Sequence, residues 1–358
     1  MSANGVEKRM MEKNLRGGLI GCGYASTFQL EAWKRIDEVE ITALSNRTLE
    51  RAEQRAEDYR IRSVYADYLE MMDNEELDFV DIAVPPEIHL EIIRAAAARG
   101  LNILCQKPIA GTLSELQEMM DVCREAGVRF MVNENGRFQP WFRKMKEYLD
   151  AGIPGDPLFT SFSSQCRMTL PHLDAGTRSG MFGRMPRLII FELGVHFLDV
   201  LRFLYGEPES VYAVTNRASR EIAGEDVASI LLRYGDHQAV VEMSWASLPA
   251  RDSEAASTWG EFRIEGRRGT LLLERNANLK LITEHSEENC QFPQDGELLG
   301  YVGAQEHFAR CLKSGEPFET SGEETYRTME LVFGSYYSAQ SNSVYRVGVD
   351  LEKISRSL

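Results

Sequence analysis

The chain is short of positive charge. Its 40 lysines and arginines face 55 aspartates and glutamates across 358 residues, a formal net charge of −15. That balance argues against nucleic acid as a partner, because phosphate binding needs clustered cations. Paired cysteines are absent too: Cys22, Cys105, Cys123, Cys166, Cys290 and Cys311 are scattered, with no C-x-x-C spacing. Most lie in apolar stretches, which reads as reduced core thiols in a cytoplasmic protein and argues against structural zinc. No uninterrupted apolar run approaches the roughly 20 residues needed to span a bilayer, so no membrane partner is expected. Residues 1–14 are polar, lack the apolar core of a secretory signal, and read as a disordered leader. No internal repeat or low-complexity tract is visible.

What is present is an alternation of strand and helix. Arg16 to Ile20 reads as a first strand, followed by a glycine turn and a helix from Thr27 to Ile36. Strands at 39–44, 79–84, 101–105 and 129–133 alternate with helices at 49–59, 88–99 and from Thr112 or Ser114 to Ala126. Strand, helix and strand with short connections indicate a parallel sheet. Beyond about residue 155 the pattern changes. The stretches 228–234 and 238–245 flank Gly235-Asp236-His237, a hairpin signal, and 261–265, 270–274 and 279–283 read as an antiparallel meander. Helices are expected at about 188–204, 303–313 and 323–338. The expected fold is therefore α/β, with an N-terminal dinucleotide-binding domain of Rossmann type at 15–135. An α+β domain with a large open, mostly antiparallel sheet follows at 136–358, for substrate binding and oligomerisation. The last helix, about 323–338, is expected to pack back on the first domain.

Three segments carry chemistry. In Gly21-Cys22-Gly23-Tyr24-Ala25-Ser26, Gly21 permits a tight bend and Gly23 lets the backbone approach a pyrophosphate. Free N–H groups at the following helix start would meet the phosphates. Strand two ends in Leu44-Ser45-Asn46-Arg47-Thr48, where a carboxylate for the ribose 2′-hydroxyl would ordinarily stand. Arg47 can pair instead with a 2′-phosphate while Ser45 and Thr48 supply hydroxyls, which favours NADP over NAD. Lys107, between Gln106 and Pro108, sits at the carboxyl end of a strand, where open α/β sheets bind ligands. It can polarise the oxygen of a substrate carbinol or carbonyl. Glu192 and His196 lie four apart, on one helical face, and His196 is the better proton acceptor near neutral pH. Such a pair can also ligate a metal, but no third ligand is evident, so no metal is expected. Arginines and a histidine between 167 and 187, notably Arg167, His172 and Arg178, suit an acidic or phosphorylated sugar. A surface loop carrying counter-charges to an acidic protein fits the same residues.

Together these residues resemble the Gfo/Idh/MocA family of glucose–fructose oxidoreductase-like and inositol dehydrogenase-like enzymes. The resemblance runs through the glycine turn, Val84-Pro85-Pro86-Glu87-Ile88-His89 and Gln106-Lys107-Pro108. It continues through Asn135-Gly136-Arg137-Phe138-Gln139-Pro140, Glu192-Leu193-Gly194-Val195-His196 and Gly206-Glu207-Pro208. It implies a nicotinamide cofactor, a sugar, polyol or related cyclic alcohol as substrate, and a homodimer or homotetramer built through the C-terminal sheet. It further implies Lys107 and His196 as catalytic pair with Glu192 at the third position, and Pro85, His89 and Asn135 lining the cofactor crevice. Two departures stand out. Gln106 replaces the usual Glu beside the lysine, and Glu192 replaces the usual Asp with a longer arm. The expected reaction is reversible transfer of a hydride between a carbinol carbon and nicotinamide C4. Two other readings use the same fold: a redox-neutral glycosidase or epimerase that retains its cofactor, and a non-catalytic dinucleotide-binding regulator.

Overall fold

Apolar runs alternate with amphipathic segments from Leu15 to Asn133, and each run becomes a strand. The computed structural model describes residues 14–169, 181–247 and 258–357. In order come β1 (Leu15–Ile20), α1 (Tyr24–Trp33), β2 (Val39–Ser45), α2 (Leu49–Tyr59), β3 (Ser63–Tyr65) and α3 (Tyr68–Asn74). Then follow β4 (Phe79–Ile82), α4 (His89–Ala97), β5 (Asn102–Gln106), α5 (Leu113–Ala126) and β6 (Phe130–Asn133). The six strands form one sheet in the order β3-β2-β1-β4-β5-β6, and every pair is parallel. This is the doubly wound Rossmann arrangement, with its topological switch point between β1 and β4. Local signals set the helix ends. The Thr112 hydroxyl accepts from Glu115 N–H at 3.1 Å and the Glu115 carboxylate accepts from Gly111 N–H at 2.9 Å, while Gly127 closes α5 at φ 68°.

Chain division is less simple than a cut after residue 135. The first compact unit comprises Met1–Asn135 and Leu298–Tyr326; the second comprises Gly136–Glu297 and Arg327–Leu358. The return to the first unit has an apolar cause. Phe308, on the helix Gly296–Ser314, is fully buried, with its ring edge-on to Phe79 at 5.2 Å and to Trp33 at 6.3 Å. Val132 N–H donates to the Thr320 carbonyl at 2.9 Å, and the Thr320 hydroxyl donates to the Val132 carbonyl at 2.7 Å. Of the last long helix, Gly322–Ser341, the first turn to Tyr326 falls in the first unit, and from Arg327 it belongs to the second.

The second unit holds a nine-stranded sheet. After α6 (Pro140–Asp150) come β7 (Pro157–Gln165), α7 (Val195–Tyr205), β8 (Ser210–Asn216), β9 (Val227–Tyr234) and β10 (His237–Ser244). Next are β11 (Glu261–Gly266), β12 (Gly269–Leu273), β13 (Asn278–Thr283), β14 (Glu287–Gln291) and β15 (Tyr345–Arg346). The order is β14-β13-β12-β11-β7-β10-β9-β8-β15, antiparallel except where β10 runs parallel to β7. Burial alternates along β9 and β10, as it must where one face packs and the other is open. On the packed face Phe162 of β7 meets Phe197 of α7 with ring centroids 3.6 Å apart. Among the described residues no helix is long and apolar enough to cross a membrane.

His237 opens β10 beneath this layer. Its Nε2 lies 3.0 Å from the Thr160 hydroxyl, which also bonds Tyr205 at 2.8 Å. Burial depresses its pKa from 6.5 to about 4. The folded chain then binds fewer protons than the unfolded chain between these values, so stability is lost as pH falls through that window. The loss is at most about 3 kcal/mol. The melting temperature of the native protein is expected to drop more steeply from pH 7 to pH 4.5 than that of His237→Gln; parallel profiles would refute this.

Candidate active site

The carboxyl ends of the parallel strands gather most of the residues singled out for cofactor binding. Gly21 follows β1 at φ 103°, and a Cβ there would lie 2.4 Å from the Ala83 carbonyl oxygen at the end of β4. Only glycine fits the crossing of these two strand ends. Gly23 caps α1, and a Cβ added to it would meet nothing within 4 Å. That open space, beside the first amides of a helix, is the shape a phosphate requires. Ser26 is fully buried, and its hydroxyl donates to the Gly23 carbonyl at 2.6 Å, tightening the turn. Tyr24 is exposed and Ala25 half-buried.

Beside this turn, at the end of β2, Asn46 acts as a brace. Its Oδ1 accepts from Cys22 N–H at 3.1 Å and its Nδ2 donates to the Thr48 carbonyl at 2.7 Å. The Ser45 carbonyl accepts from Gly21 N–H at 2.8 Å. Arg47 projects beyond the brace; it is exposed and makes no hydrogen bond or ion pair among the described residues. Burial pushes the Cys22 thiol up to about 11, which keeps it a protonated core group.

Pro85 is exposed past β4, whereas His89 is 1% exposed. The two ring nitrogens of His89 each lie 2.9 Å from a backbone carbonyl, those of Ile109 and Val84. A neutral imidazole donates from one nitrogen only, so His89 bonds one of these carbonyls and packs against the other, between the loop after β4 and the loop after β5. Burial lowers its pKa. Within β4 itself Asp81 is fully buried, accepting from Gln29 Nε2 at 2.6 Å and Trp33 Nε1 at 2.7 Å. Burial pushes its carboxyl up to about 7.

Gln106 closes β5, and its amide uses both ends. Oε1 accepts from Lys107 N–H at 2.7 Å and Nε2 donates to the Tyr301 hydroxyl at 3.1 Å. A carboxylate in this position could accept from both neighbours but donate to neither; the amide does one of each. Tyr301 in turn stacks on Phe28 at 5.6 Å, and Phe28 meets Tyr24 edge-on at 5.4 Å. Tyr301 is a residue that the sequence did not disclose. Lys107 is half-buried. At the end of β6 Asn133 is fully buried with neither amide atom hydrogen-bonded, and Asn135 is 2% exposed with its Nδ2 unpartnered. Buried polar atoms without partners are rare and mark a place for a ligand or water. Together with the cradle at Gly23, they fit a dinucleotide lying along these strand ends.

Glu192 and His196 belong to the second unit. They sit where the helix runs as a π turn from Ile190 to Gly194 before entering α7. Single π turns occur mostly within longer helices and often at functional sites. Glu192 is half-buried and His196 is 5% exposed. The His196 imidazole lies against the Trp259 indole, with centroids 4.4 Å apart and 33° between planes. Trp259 is a second residue that motif spacing did not reveal. Arg167 is half-buried just past β7; His172 and Arg178 lie outside the described residues. Among the described residues no group of His, Cys, Asp and Glu is arranged to hold a metal.

Comparison with known proteins agrees with this architecture. Residues 15–134 match the GFO/IDH/MocA oxidoreductase family with an NAD-binding Rossmann fold, and residues 142–272 match the GFO/IDH/MocA C-terminal domain. A D-apiose dehydrogenase of Paraburkholderia graminis is 34% identical over 339 residues, covering 92% of this chain and 88% of that protein. A myo-inositol 2-dehydrogenase of Thermotoga maritima is 26% identical over 353 residues, covering 95% and 99%. Among solved structures, an oxidoreductase from Agrobacterium radiobacter in complex with NAD+, L-tartaric acid and magnesium superposes with a TM-score of 0.86 at 29% identity. It covers 94% of this chain and 99% of that one.

Proposed function

This chain belongs to the GFO/IDH/MocA oxidoreductase family, and from that premise we propose that it is an NAD(P)-dependent dehydrogenase of a sugar or polyol, with Lys107 and His196 as its catalytic pair. The observation that carries the reading is that the glycine turn after β1 and the Gln106-Lys107 end of β5 stand at the same carboxyl end of the parallel sheet, on either side of β4. Gly21, Gly23, Tyr24 and Ala25 would hold the coenzyme's phosphates; Ser45, Asn46 and Arg47 its adenosine ribose; Pro85, Gln106 and Asn135 the remainder, with His89 fixing the loops. When bound, the nicotinamide supplies the hydride acceptor or donor.

The protein's own groups then supply position and charge. His196 takes the proton of the substrate hydroxyl during oxidation, and Lys107 orients that oxygen and stabilises the charge developing on it. Glu192 holds a neighbouring hydroxyl or the imidazole. D-apiose is the first substrate to try, since relatives at 34% and 30% identity over most of the chain are D-apiose dehydrogenases. The open face of the nine-stranded sheet bears the exposed Leu231 and Val214 on the paired strands β9 and β8, and supports a dimer or tetramer formed through that face.

The test is to follow nicotinamide absorbance with NADP+ and NAD+ over D-apiose, aldoses, inositols and sugar acids. Arg47 decides the coenzyme. A charge-assisted contact to a 2′-phosphate predicts that Arg47→Ala weakens NADP+ binding about 10- to 100-fold while NAD+ affinity stays constant. Equal effects on both coenzymes would reject the preference for NADP.

A further inference from the structure

The first four amides of any α-helix have no carbonyl partner within it. For the helix that carries Glu192 and His196 this need arises where water does not reach, since Leu188, Ile189 and Ile190 are each 0% exposed. Two side chains and one backbone carbonyl meet it. Leu188 N–H donates to both carboxylate oxygens of Glu225, at 3.1 and 3.2 Å, and Ile190 N–H donates to Oε1 at 3.1 Å. Between them, Ile189 N–H donates to Glu225's own carbonyl at 3.1 Å. Phe191 N–H donates to the Tyr336 hydroxyl at 3.2 Å, and that hydroxyl donates to Glu225 Oε1 at 2.6 Å. Glu192 is the first whose N–H finds a helical carbonyl, that of Leu188 at 2.8 Å.

The capture is built closely. Glu225 is 9% exposed and Tyr336 5%. Burial, with the Glu225 carboxylate beside it, pushes the Tyr336 phenol well above its ordinary range and keeps its proton in place for donation. Gly224 admits the approach: a Cβ there would stand 2.6 Å from the Met185 carbonyl and 2.9 Å from the Leu188 Cβ. Negative charge at a helix start is favoured by the backbone dipoles. The π turn begins at Ile190, inside the captured segment. π geometry is rare and mostly confined to single turns, and here Glu225 and Tyr336 hold the amides of Leu188, Ile190 and Phe191, the last two inside the turn itself.

We propose that Glu225, with Tyr336, is a positioning residue that sets this π turn and thereby the orientation of Glu192 and His196; the proposal rests on the catalytic reading of His196 above. The test uses the full chain with Glu225→Gln, Tyr336→Phe, His196→Asn and the Tyr336→Phe/His196→Asn double variant. Tyr336→Phe removes one O–H at nearly constant volume, so it remains informative if Glu225→Gln does not fold. Amide hydrogen exchange of residues 188–196, coenzyme affinity and D-apiose turnover are measured.

We expect exchange to quicken about tenfold or more in that segment alone. Turnover number should fall about 10- to 100-fold with coenzyme affinity unchanged, and Tyr336→Phe should cost nothing further once His196 is Asn. Wild-type protection of the segment in a folded variant would overturn the proposal, as would losses that multiply in the double variant. The two readings separate cleanly. An inactive His196→Asn beside fully active Glu225→Gln and Tyr336→Phe removes the positioning role alone, whereas a fully active His196→Asn removes the catalytic reading beneath it.

Discussion

Replacing Lys107 with alanine is expected to lower turnover by about 10²- to 10⁴-fold while coenzyme affinity stays within about threefold. The expectation follows from where the side chain begins. The Lys107 backbone N–H is bonded to Gln106 Oε1, and Gln106 is held by Tyr301, so the strand end survives loss of the ammonium group. What disappears is a cation able to meet an oxygen on which negative charge develops, an interaction made mainly in the transition state. Its loss therefore falls on the turnover number. Lys107→Arg is not expected to restore the rate, because a planar guanidinium presents its protons in a different geometry from a compact ammonium. A Lys107→Ala protein that turns over D-apiose within threefold of the wild type would sink the assignment.

The second large effect is on stability. Arg137 and Asp199 form a two-pronged ion pair, Nε to Oδ2 and Nη2 to Oδ1, both at 2.7 Å, with residue exposures of 6% and 2%. Thr328 adds a bond to Asp199 Oδ1 at 3.0 Å. The pair joins the turn before α6 to α7, one helical turn beyond His196. Arg137→Ala leaves a carboxylate buried without its cation, and removing one partner of such a pair costs about 3–5 kcal/mol. Against the 5–15 kcal/mol typical of a domain, the melting temperature of the second unit is expected to fall by about 10 °C. Replacing both residues, as in Arg137→Met with Asp199→Leu, should recover much of the loss, since an apolar pair needs no desolvation. A single variant that melts within about 2 °C of the wild type would show the pair to be dispensable.

Much of this was legible in the sequence, and what was not has physical reasons. Strands β4 and β6 are buried at every position and apolar except at Asp81 and Asn133, so they read as buried strands, and the glycine turn and Gln106-Lys107-Pro108 could be placed at strand ends. β3 is three residues long and half-buried throughout, while β14 is mostly exposed. Edge strands of this kind carry no alternation, and neither was anticipated. A helix is expected at about 188–204 and is found there, but the π turn within it has no compositional mark. The supporting groups were hidden by distance along the chain. Tyr301 lies 195 positions from Gln106, and Tyr336 lies 111 from Glu225. A motif displays the residues that face a ligand, whereas the residues holding them in place come from wherever the fold brings a suitable side chain.

The return of residues 298–326 to the first unit has a consequence for how the chain is made. On the ribosome the six parallel strands emerge long before Phe308 and Thr320 do. Until those residues are synthesised, the ring faces of Trp33 and Phe79 lack their cover and Val132 lacks its bonding partner. The nascent coenzyme-binding unit therefore waits, with an apolar face exposed, through the synthesis of eight of the nine strands of the second sheet. A fragment ending at Asn135 would carry that exposed face permanently, and aggregation is its expected fate.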